Sequence, residues 1–178
     1  MVKDYRHFNL YDKLIFEKVV MVPPFGTPLK MPNDACFLYA IRGGARIYTS
    51  TERMDLEVNS GVVMKCGNYF GNWLRQYSEE ETYEAVAVHL YPEVIKKLYD
   101  KELPAFLSEV DKMKPVRIQK LKSDAVLKKY IESLIFYFEN PDLVSDELLK
   151  LKLKELILLL AKTDNAEAIG QLVGSLFS

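Results

Sequence analysis

The segment from Ser145 to Lys162 contains more leucine than one buried face of a helix can use. Drawn as a helix with about 100° per residue, its apolar side chains fall on two separate arcs. One arc contains Leu149, Leu153, Leu156, Ile157 and Leu160, and the other contains Leu148, Leu151, Leu158 and Leu159. A helix with two apolar faces needs two partners. One is the helix's own domain, and we expect the other to be a second protein chain.

The helical interpretation of this segment has a competitor, because leucine and lysine alternate from Leu149 to Lys154 with the period of a strand. Composition favours the helix, since leucine, lysine and glutamate are strong helix formers and the segment contains no valine or threonine. Ser145 offers a hydroxyl that can cap the first turn, and Asp146 and Glu147 place negative charge at the positive end of the helix dipole. The sequence therefore predicts a helix.

The first half of the chain has a different pattern, with short β-branched or aromatic runs separated by turn signals. These runs predict strands. The predicted strands are Asp12–Val22, Ala35–Arg42, Ala45–Ser50, Met54–Val58, Val62–Cys66 and Tyr83–Tyr91. Gly43-Gly44 is predicted to join the second and third of them in a tight hairpin, because adjacent glycines tolerate positive φ angles. Short strands at this spacing are typical of a sandwich or a small barrel.

The pattern becomes helical from Pro92 onward. Predicted helices run from Glu93 to Tyr99, from Leu103-Pro104 to Val110, from the cap Ser123-Asp124 to Asn140-Pro141, through the leucine-rich segment, and from Ala166 to Leu176. The predicted fold class is α+β. A β cup in residues 1–91 precedes a helical unit in residues 92–178 that packs on the cup, and together they form one compact domain.

Composition and charge exclude several classes of function. A chain of 178 residues can bury one sizeable core, or one core plus an appended helical unit, and its net charge of −1 argues against a surface that binds duplex DNA. The N-terminus lacks the apolar region of a signal peptide, and the longest aliphatic run, Leu156–Ala161, is too short to span a bilayer. We therefore expect a cytoplasmic protein without membrane contact. Cys36 and Cys66 are then expected to be reduced thiols.

Three segments carry a resemblance to a known family: VMKCGNY at Val63–Tyr69, HLYPEV at His89–Val94, and the leucine-rich run Leu148–Ala166. A strand-rich cup with these segments resembles the N-terminal domain of AraC-type bacterial transcription regulators, and within them the ExsA-like group. The resemblance covers nearly the whole chain. It implies a cupin-like barrel or jelly roll that senses an effector or dimerises, followed by two helix-turn-helix motifs that bind DNA.

The chain departs from that pattern, because no helix-turn-helix pattern with basic recognition residues precedes Ser178. We expect an excised regulatory domain, with a natural truncation as the alternative. The regulatory signal, from a small effector or a regulatory protein, would then pass to a DNA-binding domain not present here. No direct nucleic-acid contact is expected from this segment.

Four residues are candidates for lining an effector site in the cup: Tyr39, Tyr48, Trp73 and Arg75. If all of them point inward, they form an aromatic pocket with one charged group, which suits a small polar or anionic molecule. The alternative is that aromatic side chains simply fill the cup, as they do in many small barrels. The alternation of the strands leaves open which set of side chains faces inward.

A catalytic function finds no support in the motifs. A metal-dependent cupin needs several histidines together with a carboxylate, and this chain has only His7 and His89. We therefore predict no catalytic residue, no metal site and no cofactor, and we expect His89 to be a packed or edge residue. The alternative function is a stand-alone cupin-like binding protein or metal-dependent enzyme.

Dimerisation is the expected use of the second apolar arc. The sequence predicts a homodimer through the leucine-rich helix, with Leu148, Leu151, Glu155 and Leu158 facing the partner. Which arc docks on its own domain stays open at this stage.

Overall fold

The computed structural model describes residues 1–74, 82–100, 103–108 and 116–177. Its strands are β1 (Val2–Leu10), β2 (Lys13–Met21), β3 (Gly26–Met31), β4 (Ala35–Arg42), β5 (Ala45–Tyr48), β6 (Arg53–Leu56), β7 (Gly61–Met64), β8 (Gly67–Trp73), β9 (Tyr83–Leu90) and β10 (Ile118–Lys120). Its helices are α1 (Pro92–Leu98), α2 (Ala105–Ser108), α3 (Ala125–Glu139), α4 (Asp146–Ala161) and α5 (Ala166–Leu176). The predicted α+β class is confirmed.

The strands form two antiparallel sheets. The larger sheet has six strands in the order β1-β2-β9-β4-β7-β10, and the smaller has four in the order β3-β8-β5-β6. One buried core lies between the two sheets, and a second lies between the larger sheet and the helices. The larger sheet is therefore the middle layer of the fold.

Four strands are absent from the predicted set: β1, β3, β8 and β10. Pro28 within β3 argues against a strand, because proline cannot donate a ladder hydrogen bond. It is tolerated here since β3 is an edge strand of the smaller sheet. β10 has only three residues, too few to show alternation, and it pairs with β7 from within the helical half of the sequence.

The turn at Gly43-Gly44 is correctly located, but the predicted hairpin is wrong. β4 pairs with β7 and β9, whereas β5 pairs with β6 and β8, so this turn carries the chain from one sheet to the other. Gly43 has a φ of +66°, and a Cβ there would lie 3.2 Å from the carbonyl oxygen of Thr82. Adjacent glycines thus identify a reversal of the chain, but they do not show whether the flanking strands pair.

Alternation along β4 assigns its side chains to the two cores. Cys36 belongs to the core between the sheets, whereas Phe37 and Tyr39 belong to the core beneath the helices. β9 divides in the same way, with Ala85 and Ala87 facing the smaller sheet and Val86 and Val88 facing the helices.

The leucine-rich segment forms α4, and Ser145 caps it by accepting a hydrogen bond from the backbone N–H of Leu148 at 3.3 Å. The arc that docks on its own domain consists of Leu149, Leu153, Leu156, Ile157 and Leu160, all of which are buried. On the other arc Leu151 is 63% exposed and Leu158 is 46% exposed. The first arc therefore docks on the helix's own domain, and the second faces outward.

Leu153→Ala is expected to destabilise the domain by about 2–5 kcal/mol, because the side chain is fully buried and its removal leaves a cavity. The matched control is Leu143→Ala, which removes the same atoms from a side chain that is 60% exposed and should change stability by less than about 0.5 kcal/mol. Urea unfolding followed by circular dichroism measures both. Equal effects of the two variants would contradict the assignment of this face to the core.

Candidate functional site

The core between the two sheets is not completely filled. It contains a cavity of about 320 Å³, which is at the lower end of the roughly 300–1,000 Å³ range of small-molecule sites. Side chains from β2, β3, β4, β5 and β9 line it, and most of them are aliphatic. The cup therefore offers an apolar space large enough for a small molecule.

The cavity exists because several inward positions carry small residues. Ala85 and Ala87 on β9, Ala45 on β5 and Gly71 on β8 all line it. Larger aliphatic side chains at these positions would occupy the space, since protein interiors are normally close-packed. In the pairing of β2 with β9, Glu17 lies opposite Ala87. The alanine side chain is too small to separate the Glu17 carboxylate from the cavity.

A group of polar side chains forms one end of the cavity. Glu17 and His89 both line it. Nδ1 of His89 lies 2.8 Å from Oδ2 of Asp34, and Nε2 lies 3.6 Å from Oε1 of Glu17. The hydroxyl of Tyr5 donates to Oε2 of Glu17 at 3.0 Å. Four separate parts of the chain thus converge on one carboxylate–imidazole–carboxylate group.

This arrangement determines the charge of the group. Burial alone would lower the pKa of His89, but the hydrogen bond to Asp34 and the negative charge of Glu17 outweigh it and raise the pKa to about 9. Burial would raise the pKa of Glu17, yet its interaction with His89 lowers it overall. At neutral pH the imidazole is therefore protonated, and Glu17 is ionised beside it.

Nε2 of His89 has an incomplete environment. The atom is buried and has no hydrogen-bond partner within the ranges that the structure describes, because Glu17 lies just beyond hydrogen-bond distance. A protonated imidazole carries a hydrogen at this nitrogen. Nε2 and Oε1 of Glu17 thus form an ion pair at 3.6 Å without a good hydrogen bond between them.

Of the four residues proposed for the effector site, Tyr39 lies on the opposite face of the larger sheet, in the core beneath the helices. Tyr48 is on the outer face of the smaller sheet, where its ring centroid is 5.6 Å from that of Phe70. Trp73 is in register with Ala45 and is half-buried, but it is not one of the residues lining the cavity. Arg75 lies outside the described residues.

Glu17 was missed by sequence reasoning, and His89 was assigned only a packing role. One signal could have found them, namely that β9 alternates between alanine and valine on its two faces. The alanine face leaves room, and His89 continues that face by alternation. Glu17 is harder to find, because only the pairing of β2 with β9 brings it to Ala87.

The proposed dimer residues lie on the outer side of α4. Leu148 is half-buried, and Leu151, Glu155 and Leu158 are exposed. Beside them a surface groove of about 440 Å³ separates α4 from α3. Lys152 forms part of this groove, where its ammonium donates to the hydroxyl of Ser133 at 2.7 Å and pairs with Glu155.

Three further observations concern metal binding, thiol chemistry and membrane-spanning helices. Among the described residues no three histidine, cysteine or acidic side chains are grouped so that they could hold a metal ion. Cys36 and Cys66 are both free thiols, as the sequence predicted, and burial raises the pKa of Cys36. No described helix has the length and apolar character needed to cross a membrane.

The raised pKa of His89 predicts a pH-dependent stability. Its folded pKa of about 9 exceeds the ordinary value of 6.5, so its contribution is fully present below pH 6.5 and is lost as the pH rises through about 9. We expect the free energy of unfolding to fall over this interval by up to about 3 kcal/mol. Urea unfolding at several pH values measures this change. His89→Gln should abolish it and exposed His7→Gln should keep it, whereas an unchanged profile in His89→Gln would contradict the assignment.

Comparisons with known proteins agree with this architecture. The model of the family described as the ExsA N-terminal regulatory domain matches residues 35–172. ToxT from Vibrio cholerae strain SCE256, bound to an unsaturated fatty acid, has a TM-score of 0.55 at 10% identity, over 88% of this chain and 60% of ToxT. ToxT from Vibrio cholerae O395, bound to (E)-4-(8-methylnaphthalen-1-yl)but-3-enoic acid, has a TM-score of 0.54 at 16% identity, over 90% of this chain and 66% of ToxT.

The chain thus spans about 60% of the length of the first of these ToxT structures. None of the curated proteins is similar to it in sequence. The structural likeness shows a shared cupin-like fold with appended helices. Because the family model covers well over half of the sequence, the chain belongs to the ExsA N-terminal regulatory domain family and is a regulatory domain of the AraC type.

Proposed function

We propose that this domain binds a small, mostly apolar effector in the cavity between its sheets. The observation that carries the proposal is an apolar cavity of about 320 Å³ that has a polar group at one end, within a domain of a regulatory family. An apolar wall with a few convergent polar atoms is typical of sites for small ligands. The signal would pass to a helix-turn-helix domain outside these 178 residues.

The two ToxT structures support a ligand of this general kind. The unsaturated fatty acid and the naphthalenyl-butenoic acid each combine an apolar body with one polar head. At 10% and 16% identity the likeness is one of fold, so the effector of this chain has to be inferred from its own cavity. A regulatory protein instead of a small molecule is the second candidate, and it would compete with a second copy of the chain for the exposed outer face of α4.

We propose further that the domain forms a homodimer through the outer face of α4. Leu151 and Leu158 are exposed in the single chain, and each could contribute about 1.5–3 kcal/mol if it became fully buried, less the cost of ordering. Leu148 and Glu155 lie on the same side of the helix. Glu155 already pairs with Lys152, so the apolar contact would be bordered by a charged pair.

We also propose that the chain acts as a binding module in the cytoplasm and not as an enzyme. A general base should have a pKa near the working pH, whereas the pKa of His89 is raised to about 9. Residues 1–91 and 92–178 would work as one regulatory unit, because the larger core joins the six-stranded sheet to the helices.

The cavity can be tested with N-phenyl-1-naphthylamine, a neutral apolar dye whose fluorescence increases in apolar sites. We expect saturable binding to the wild type and loss of binding in Ala87→Trp, because Ala87 lines the cavity and a tryptophan there would fill it. The control is Ala166→Trp, at an exposed position in α5. A folded Ala87→Trp variant that binds the dye as well as the wild type would argue against this cavity as the site.

The dimer can be tested by light scattering. Leu151→Lys combined with Leu158→Lys should give a monomer, because two charges would have to be buried in an apolar contact. The control, Val2→Lys with Val58→Lys, adds the same charge at two other exposed aliphatic positions and should leave the dimer intact. A dimer that survives the first pair of substitutions would rule out this face of α4.

A further inference from the structure

We propose, building on the proposed effector site, that the polar end of the cavity recognises a neutral head group that both accepts and donates a hydrogen bond, with a hydroxyl as the best fit. The apolar body of such a ligand would lie against the small side chains of β9. The same polar end would discriminate against a carboxylate. The ligand class is therefore an apolar alcohol.

The first argument is the separation between His89 and Glu17. Nε2 and Oε1 lie 3.6 Å apart, which is too far for a good hydrogen bond between them. An oxygen about 2.8 Å from both atoms, an ordinary hydrogen-bond length, would lie to one side of the line that joins them, with an angle of roughly 80° at the oxygen, so both hydrogen bonds would be bent. A hydroxyl there would accept from the Nε2–H and donate to the carboxylate, which satisfies both.

The second argument is that the remaining atoms of the group are already engaged. Asp34 holds Nδ1 of the imidazole at 2.8 Å, and Tyr5 donates to Oε2 of Glu17 at 3.0 Å. These two contacts orient the ring and the carboxylate. The atoms that face each other without a direct hydrogen bond are then one donor and one acceptor, which is the pair that a hydroxyl complements.

The third argument concerns charge. The imidazolium carries one positive charge, whereas Glu17 and Asp34 carry two negative charges, so the group as a whole is negative. A ligand carboxylate bound to His89 would lie beside Glu17 in a partly desolvated place, where like charges repel strongly. A neutral hydroxyl avoids this repulsion and keeps both hydrogen bonds.

Two other residues with basic side chains, Lys30 and His7, lie near the polar end. Lys30 on β3 also borders the cavity, but its side chain is exposed to solvent, where an attraction for a carboxylate is weakened by water and salt. His7 is on β1, opposite Glu17 in the ladder, and is likewise exposed. Because both side chains are exposed, their attraction for a ligand carboxylate is weaker than the repulsion from the ionised groups at the polar end.

The test is displacement of bound N-phenyl-1-naphthylamine by 1-decanol, decanoate and decylamine at pH 7, each below the concentration at which it aggregates. The three compounds share one apolar chain and differ in the head group. We expect decanol to displace the dye at a concentration at least about tenfold lower than decanoate does, which corresponds to about 1.4 kcal/mol. Decylamine should bind less tightly than decanol, because its ammonium has no lone pair to accept a hydrogen bond from the Nε2–H of His89, which would stay unsatisfied.

Glu17→Gln should reduce the preference for decanol over decanoate to less than about threefold, because the amide has no charge to repel the carboxylate. The matched control is Glu84→Gln, which removes a carboxylate that pairs with Lys18 at 3.0 Å and is not among the cavity-lining residues. It should keep the full preference. The wild-type measurements test the proposal even if a variant fails to fold.

Several outcomes would overturn the proposal. Decanoate binding as tightly as decanol would do so, and dependence of that binding on Lys30 would identify the lysine as the head-group partner. Tightest binding of decylamine would assign a cationic ligand instead. Absence of saturable dye binding is a different result, since it would count against the cavity itself and hence against the proposed function.

Discussion

The inner strands β4, β7 and β9 of the six-stranded sheet are buried on both faces, and this double burial constrains where the other layers of the fold can lie. One face has to be covered by the smaller sheet and the other by the helices, because an open face of β4 or β9 would leave aliphatic side chains in water. The chain meets this requirement with reversals that cross between the layers, such as the turn at Gly43-Gly44. The two cores therefore share the same strands.

That sharing has a consequence for regulation. In β9 the side chains that border the cavity alternate with those that pack beneath the helices, so Ala87 and Val88 are neighbours with different partners. The second core also contains Leu153 and Leu156 of α4. The backbone of β9 thus joins the cavity wall to the core that contains α4, the helix that carries the exposed leucines. Close packing gives that core little freedom to absorb a displacement.

The elements with strong local signals were predicted correctly from the sequence. The features that depend on which strands and layers pack together were not. The strands β4 and β9 and the helices α3 and α4 were predicted because their periodicity and caps are local. The pairing of β4 was not predicted correctly, since two adjacent glycines indicate a tight turn whether or not the flanking strands pair. Tyr39 faces the helices and not the cavity. The sequence could not show this, because alternation divides the side chains of a strand into two sets but does not tell which set faces which layer.

The polar end of the cavity was the hardest part to predict, because it is assembled from residues that are remote in sequence. Asp34 and His89 are 55 residues apart, and Tyr5 and Glu17 are 12 apart. No short motif can contain such a set. Each member is ordinary alone, and only the antiparallel order β1-β2-β9-β4 brings them to one end of the cup.

The same order explains why the group is ionised there at all. A buried imidazolium is costly unless opposite charges surround it, and here two carboxylates supply them. Removal of either carboxylate would lower the pKa of the imidazole. The ionisation of the site and the pairing of its strands therefore depend on each other, so a ligand that bridges His89 and Glu17 would act on the same interaction that connects β2 to β9 at the cavity.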